Sequence, residues 1–150
     1  MIVKVKRLSD KAILPKYNNP TDSGMDFYTP EDFTINPGES KLISLDLALE
    51  LPTGYGLNIR GTSGNTSKTK LRVNLGTVDN GYRGNLGVMV DNIGQEPLTL
   101  ERGRKIAQGV LLREPQAVII EVEDLDESTR GDKGFGSSDH ILGHKLFLKK

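Results

Sequence analysis

Hydrophobic residues alternate with polar ones in short runs along most of the chain, a pattern typical of half-buried β-strands. The alternation predicts strands through Ile2, Val3 and Val5; through Ile43, Leu45, Leu47 and Leu49, as one run from Lys41 to Glu50; through Tyr55, Leu57 and Ile59; through Leu71, Val73 and Leu75; through Leu86, Val88 and Val90; and through Val118, Ile120 and Val122. No segment has a long helical period, so we predict an all-β sandwich or jelly roll.

Turn residues separate these runs, and the alternation ends near Glu123. The turns lie at Asn36-Pro37-Gly38, Pro52-Thr53-Gly54, Asp79-Asn80-Gly81 and Glu101-Arg102-Gly103. An acidic, polar segment and a glycine-rich stretch follow. We therefore predict a jelly-roll β domain over residues 1–123 and a C-terminal arm over residues 124–150, mobile until something orders it.

The amino-acid composition limits the classes of partner that the chain can bind. The chain has 150 residues, which is the size of one domain, and a formal net charge of zero, which argues against a nucleic-acid polymer or a membrane surface as partner. It has no cysteine, and hence no disulfide, thiolate metal site or cysteine nucleophile, which fits a cytoplasmic protein. Only 35% of the residues are hydrophobic and none is Trp, so oligomerisation is a plausible supplement to a thin core.

The most informative segment is the stretch from Arg130 to Ser138, which reads RGDKGFGSS. Glycines permit close backbone approach, and free N–H groups, hydroxyls and an arginine suit phosphate oxygens. Phe135 offers a face on which a base can stack. The stretch is thus suited to both ends of a nucleotide; taken alone, a flexible Gly/Ser tail is the better explanation.

Three further turns carry candidate chemistry. Asp79 lies between two strand patterns and precedes Asn-Gly, so it is either a hairpin residue that caps its own turn or a general base, with Tyr82 packed against a ligand. Asp26 lies in an acidic turn of the kind that holds Mg²⁺ through its waters. The loop from Ser63 to Lys68 is rich in hydroxyls and suits phosphate oxygens.

Other chemistries fit less well. The glycine-rich stretch lacks the lysine of a phosphate-binding P-loop, and no Gly-x-Ser-x-Gly nucleophile motif is present. His140 and His144 are spaced like two zinc ligands on a helix, but the sequence shows neither a third ligand nearby nor a helical apolar stripe.

Taken together, the turns resemble the trimeric dUTPase family, whose enzymes hydrolyse dUTP to dUMP and pyrophosphate. The resemblance runs from about Asp22 to Ser138, and its five motifs occur in the family's order. They are residues 22–27 (DSGMDF), 62–68 (TSGNTSK), 76–84 (GTVDNGYRG), 103–108 (GRKIAQ) and 130–138 (RGDKGFGSS). The resemblance implies a jelly-roll subunit and a homotrimer whose active sites are each assembled from three chains.

The resemblance also implies roles. Asp79 would orient the water that attacks the α-phosphorus, Tyr82 would pack under the deoxyribose, and Asp26 would hold the water shell of a Mg²⁺ cofactor that bridges the phosphates. A backbone hairpin at the third motif would read the uracil edge. The implied substrate-binding residues are Ser63, Gly64, Asn74, Gly76, Thr77, Val78, Tyr82, Gln108, Arg130, Phe135, Gly136, Ser137 and Ser138, and Arg60 and Lys68 are further candidates for phosphate contact.

Two features depart from the family pattern. The second motif usually begins with arginine, but Thr62 occupies that position and offers no bidentate positive fork. Arg60 lies two residues earlier, on the same side if the segment is a strand, and is the candidate replacement. The alternatives are a slower enzyme or a chain disabled at this step. The second departure is the tail from Asp139 to Lys150, since the family usually ends soon after the serines.

The departures leave two other functions to weigh. A dCTP deaminase shares the fold but lacks the Asp-x-x-Tyr-Arg-Gly turn, which is intact here at residues 79–84. A nucleotide-binding regulatory protein would use the dUTPase body to bind a protein partner, and the loss of arginine at position 62 favours it. It predicts tight dUTP binding with little release of pyrophosphate.

Overall fold

The computed structural model describes residues 1–134, 140–141 and 144–145. Phe135, Gly136, Ser137 and Ser138 lie outside the described residues, as does most of the tail. The chain forms two compact units, Met1–Gln116 and Ala117–Lys150. The boundary predicted at residues 123 and 124 stays a prediction.

The first unit is built almost entirely of short strands. Its elements are β1 (Lys4–Arg7), β2 (Met25–Tyr28), β3 (Phe33–Ile35), β4 (Ser40–Ser44), β5 (Leu47–Glu50), β6 (Tyr55–Arg60), α1 (Ser63–Lys68), β7 (Leu71–Val73), β8 (Gly76–Val78), β9 (Gly87–Asn92), β10 (Leu98–Leu100) and β11 (Lys105–Arg113). The predicted all-β jelly-roll class is confirmed.

Two sheets and two paired ribbons make up this unit, and all their strand pairs are antiparallel. One sheet has the order β2-β11-β6-β8 and the other β4-β9-β7, while β1 pairs with β5 and β3 with β10. The core between them is aliphatic apart from one aromatic ring. Its largest fully buried members are Phe27, Ile35, Ile43, Leu45, Leu47, Leu57, Leu71, Val88, Val90 and Ile106.

The second unit contains one described ladder, in which β12 (His140–Ile141) pairs with β13 (His144–Lys145). His140 and His144 therefore lie on two strands rather than on one helix, so the helical spacing that suggested a zinc pair does not apply.

Two strand predictions need correction. The run from Lys41 to Glu50 is broken between β4 and β5 at Asp46, whose φ of 54° lies in the left-handed region that no strand residue adopts. Residues 118–122 form no strand, and Val118 is 90% exposed. An alternating run forms a strand only where a neighbouring strand edge supplies hydrogen-bond partners for its backbone.

The sequence pattern missed several elements. The longest strand, β11, has apolar residues that do not alternate, because its register with β2 shifts between Lys105 and Ala107. The strands β2, β3 and β10 are short, at three or four residues each. Residues 63–68, predicted as a loop, form the helix α1.

Candidate active site

The segment from Asp79 to Leu86 connects the two sheets. Before it, β8 pairs with β6; after it, β9 pairs with β4 and β7. The predicted pairing around the third motif is present, because β7 and β9 form an antiparallel ladder with Leu71 opposite Asn92 and Val73 opposite Val90. The hairpin is wide rather than tight, because β8, which directly precedes the motif, belongs to the other sheet. This crossing places the motif at the opening between the sheets.

Hydrogen bonds hold the crossing segment in one conformation. The Tyr82 N–H donates to the Asp79 carbonyl at 3.0 Å, which closes a four-residue turn. The Asn80 side chain donates to the carbonyls of Pro52 at 2.6 Å and Tyr55 at 2.9 Å. The Arg83 guanidinium donates back to the Asn80 carbonyl at 2.6 Å. Side chains on the turn are thus carried by a braced backbone.

A cleft of about 380 Å³ opens beside this turn. Four of the predicted site residues lie together in it, namely Thr77, Val78, Asp79 and Tyr82. The carboxylate of Asp79 is on the exposed side of the turn, whereas Val78 is buried against the core. The cleft therefore combines an apolar wall with one exposed carboxylate.

Tyr82 is held by a hydrogen bond from its hydroxyl and by the packing of its ring over Gly84. Its hydroxyl donates to the main-chain carbonyl of Asn85 at 2.9 Å, and the residue is 46% exposed. The ring lies over Gly84, where a side-chain Cβ would come within 2.6 Å of Tyr82 Cζ. Glycine at position 84 is therefore required for this placement of the ring.

Sequence reasoning missed part of the lining of this cleft. Leu42 and Ser44 from β4, Asn85 and Leu86 from the crossing segment, and Gly87 from β9 all contribute. Ser44 reaches the cleft because β4 pairs with β9 so that Ser44 is opposite Gly87. No local motif marks Ser44, so only the strand register locates it.

A second group of predicted site residues forms a row across the larger sheet. Gln108 on β11 pairs with Asp26 on β2 and with Arg60 on β6, so all three share one face. Arg60 is exposed at the end of β6, and the Gln108 side chain donates to the Gly61 carbonyl at 3.4 Å. The row thus presents an amide and a guanidinium beside the second motif.

Asp26 is 5% exposed and well partnered. It accepts a hydrogen bond from Asn18 and lies 3.2 Å from the Lys105 ammonium. Burial, together with the Asp26 charge, raises the pKa of the neighbouring Tyr28 phenol. Asp22, on the surface of the first motif, has a pKa lowered by hydrogen bonds from Asn19.

Residues 1–134, 140–141 and 144–145 contain no cluster of three or more His, Asp or Glu able to hold a metal ion. A Mg²⁺ ion that keeps its waters and rides on substrate phosphates needs only one or two carboxylates from the protein. Asp26, in the row with Gln108, supplies one such carboxylate, which in this structure is paired with the Lys105 ammonium.

Thr62, at the position where the family resemblance leads us to expect arginine, is the N-cap of α1. Its hydroxyl accepts the Asn65 N–H at 3.3 Å, and it is only 6% exposed. Asn65 is buried as well and donates to the carbonyls of Lys105 at 3.0 Å and Ile106 at 3.2 Å. Ser63 and Gly64 form the exposed first turn, and Lys68 ends the helix.

Within one chain, the cleft and the row lie apart. Val78 pairs with Leu57, so Asp79 lies about four residues, or roughly 13 Å, along the sheet from Arg60. Gly76 pairs with Ile59, between the two groups. Asn74 belongs to neither, because its side chain donates to Asp91 at 3.4 Å and its backbone N–H to Met89 at 2.9 Å.

The described part of the glycine-rich stretch belongs to the second unit. The Arg130 guanidinium donates to the Lys133 carbonyl at 3.0 Å, and Gly131 has a φ of 57°. The Gly131 N–H donates to the Ser128 hydroxyl at 3.0 Å. These bonds close a local turn at the start of the fifth motif.

A family model described as dUTPase matches residues 10–139, nearly the whole chain. The chain belongs to the dUTPase family. Curated relatives named deoxyuridine 5'-triphosphate nucleotidohydrolase include that of Gloeothece citriformis, 44% identical over 92% of this chain and 97% of the relative. That of Helicobacter pylori (strain P12) is 37% identical over the same shares. This dUTPase is accordingly a dUTP diphosphatase.

Solved structures of phage dUTPases share the fold. The Staphylococcus bacteriophage 80alpha dUTPase with dUPNHPP aligns with a TM-score of 0.87 and 32% identity, over 91% of this chain and 98% of that one. A mutant of the dUTPase from phage phi11 of S. aureus, described with a structural Mg(II) ion, aligns with a TM-score of 0.79 and 28% identity. The alignment covers 83% of this chain and 98% of that one. In the described residues, no helix of this dUTPase is long and apolar enough to cross a membrane.

Proposed function

We propose that the chain hydrolyses dUTP to dUMP and pyrophosphate by attack of water on the α-phosphorus. The observation that carries the proposal is the cleft in which Thr77, Val78, Asp79 and Tyr82 meet on a braced turn. The water oxygen bonds to the α-phosphorus while the bond to the α,β-bridging oxygen breaks, and pyrophosphate leaves. The 80alpha dUTPase, similar to this chain, was solved with dUpNHpp.

Position and chemistry give each cleft residue a part in this reaction. Asp79 is the exposed carboxylate of the cleft and accepts the proton of the attacking water. The backbone at Gly76, Thr77 and Val78 reads the uracil edge, and cytosine, with its donors and acceptors reversed, leaves these groups unpaired. The Tyr82 ring packs against the deoxyribose.

The row of Asp26, Gln108 and Arg60, with Ser63, Gly64 and Lys68 beside it, binds the phosphate chain. Arg60 is exposed and shares a sheet face with Gln108, so its guanidinium replaces the fork that Thr62 does not supply. When bound, Mg²⁺ neutralises charge on the phosphates and orients them. Asp26 holds its water shell.

A complete site needs more than one copy of the chain. Asp79 and Arg60 lie roughly 13 Å apart along the sheet, while the reacting phosphorus must be near both groups. We therefore propose a homotrimer in which the cleft of one copy faces the row of another. From the family resemblance, we also propose that Arg130, Phe135, Gly136, Ser137 and Ser138 bind the base and the phosphates.

The decisive assay incubates the protein with dUTP or dCTP and Mg²⁺ and measures dUMP, pyrophosphate and ammonia. We expect pyrophosphate from dUTP alone, and a fall in kcat of about a hundredfold or more for Asp79→Asn, since a general base contributes that much. Asp32→Asn is the matched control, because Asp32 accepts a backbone N–H from Arg102 away from the cleft. Ammonia from dCTP would instead identify a deaminase.

The role of Arg60 has its own test. Arg60→Ala is expected to lower kcat/KM for dUTP about tenfold or more, the range for losing a charged hydrogen bond, whereas Arg7→Ala, an exposed arginine at the end of β1, leaves it unchanged. Adding Thr62→Arg to Arg60→Ala should restore part of the loss. Full activity of Arg60→Ala would remove Arg60 from the site.

A second candidate is a regulatory protein that binds dUTP and a protein partner. It is favoured by Thr62 and by the similarity to the 80alpha phage dUTPase, one mutant of which was solved to dissect the link between enzymatic activity and SaPI inducing capacity. Tight dUTP binding, measured by calorimetry, with no release of pyrophosphate is the result that would establish this candidate over the enzyme.

A further inference from the structure

Asp46 lies directly behind the active-site cleft in a conformation that few residues adopt. Its φ is 54°, and it lies in the break that separates strand β4 from strand β5. One carboxylate oxygen accepts the Ser44 hydroxyl at 2.7 Å, and the other accepts the Ser9 hydroxyl at 2.7 Å. The Ser44 and Ser9 hydroxyls hold the pKa of this carboxyl below its usual range.

Ser44 links the Asp46 carboxylate to Asn85 through hydrogen bonds. Its oxygen donates to Asp46 and accepts both the Asn85 side-chain amide at 2.8 Å and the Asp46 N–H at 3.2 Å. The Asn85 amide also reaches the Asp46 carboxylate at 3.4 Å. The hydroxyl of Ser44 thus has its donor and both acceptor positions occupied, so its orientation is fixed.

Asn85 in turn accepts a hydrogen bond from Tyr82. The Tyr82 hydroxyl donates to the main-chain carbonyl of Asn85, and Ser44, Asn85 and Tyr82 all line the same cleft. We call Asp46, Ser44, Asn85 and Tyr82 the Asp46 network. Its outer end is the ring that packs against the sugar, and its inner end is a partly buried carboxylate with no part in the chemistry proposed above.

We propose that Asp46 is a positioning residue that fixes Tyr82 through Ser44 and Asn85, and thereby sets the preference for deoxyribose over ribose. This inference rests on the proposed function of Tyr82. A carboxylate suits the role because it only accepts hydrogen bonds, and three side-chain donors converge on it. An amide at the same place would turn an N–H group toward one of those donors.

Asp46→Gly and Asp46→Asn test the carboxylate without straining the backbone, because Gly and Asn both tolerate a positive φ. Ser44→Ala breaks the link while keeping Asp46. The measurement is kcat/KM for dUTP divided by that for UTP. We expect the ratio to fall about two- to tenfold in all three variants, the effect of one lost hydrogen bond, and to stay constant in Asp32→Asn. A purely structural role lowers both rates equally, and an unchanged ratio overturns the proposal.

A double-mutant cycle shows whether Asp46 acts through the Tyr82 hydroxyl. Tyr82→Phe removes that hydroxyl, and we expect Asp46→Gly to lower the ratio no further in this background. Additive losses would mean that Asp46 acts by another route and would overturn the proposal. The same cycle is run on the binding of dUMP and UMP, which requires no turnover.

Tyr82→Ala separates failure of this inference from failure of the function on which it rests. If Tyr82→Ala leaves the dUTP-to-UTP ratio unchanged, the role of Tyr82 against the sugar is wrong and the Asp46 proposal falls with it. If Tyr82→Ala collapses the ratio while Asp46→Gly does not, only the Asp46 proposal is overturned.

Discussion

Thr62 stabilises the local fold at a position where the family resemblance leads one to expect arginine. Its hydroxyl caps α1, so Thr62→Ala should lower the free energy of unfolding by about 0.5–2 kcal/mol. Thr62→Ser keeps the capping oxygen and serves as the control, with a smaller loss. Urea unfolding measures both. Equal losses in the two variants would show that the buried methyl group matters and the cap does not.

The lowered pKa of Asp46, also a single residue, predicts that the stability of the protein depends on pH. Hydrogen bonds from Ser44 and Ser9 lower the pKa of its carboxyl in the folded state, with a smaller contribution from the Lys11 charge. The resulting stability is therefore present above the unfolded pKa of about 3.9 and is lost as the pH falls through the folded pKa.

We expect Asp46→Asn to be less stable than the wild type at pH 6, and this difference in urea midpoint to shrink as the pH is lowered below about 4. Ser44→Ala, which removes the largest cause of the lowered pKa, should show the same narrowing to a smaller extent. A difference that stays constant down to about pH 3 would contradict the lowered pKa.

At the scale of elements, β11 depends on the absence of a side chain at Gly109. A Cβ there would lie 2.6 Å from Phe27 Cε2 and 2.9 Å from Leu57 Cδ1, both in fully buried side chains. Gly109→Ala should therefore destabilise the protein by about 1–3 kcal/mol through overpacking. Gly64→Ala is the matched control, since Gly64 is exposed on α1 with nothing near its Cβ position and should raise stability by up to about 1 kcal/mol.

The elements also show what the sequence predicts and what it does not. Leu57, Ile59, Val88 and Val90 alternate and lie on strands with their side chains in the core, as period-two alternation predicts. β11 escaped prediction because a register shift disrupts its alternation. At the break, Asp46 accepts a hydrogen bond from Ser9, a residue remote in sequence. Local periodicity contains neither kind of information.

The same distinction applies to the site. The turn at Asp79 and Tyr82 was predicted because its residues are contiguous, although its role as a crossing between sheets was not. Ser44 and Leu42 come from a strand about 40 residues away in sequence and enter the cleft only through the pairing of β4 with β9. Strand pairing, which single-chain motifs do not encode, decides that part of the lining.

At the scale of the whole molecule, the proposed trimer predicts a particle of about 50 kDa, three times the 16.5 kDa of the chain. The measurement is light scattering coupled to size exclusion. Val118, Ile119 and Leu125 are almost fully exposed in the single chain, an apolar surface that association would cover. A mass of 16.5 kDa at micromolar concentration would contradict the shared site.

Mixing two disabled chains tests whether one site takes residues from different copies. One chain carries Asp79→Asn, and the other carries Arg60→Ala with Gln108→Ala, so each alone should be nearly inactive toward dUTP. If the cleft of one copy faces the row of another, random mixing on joint refolding gives about a quarter of the sites both intact halves. Activity should then rise well above that of either parent. If Asp79 and Arg60 of the same chain form the site, no mixture contains an intact one, and activity stays at the average of the parents. The separation of the two groups along β6 leads us to expect the recovery.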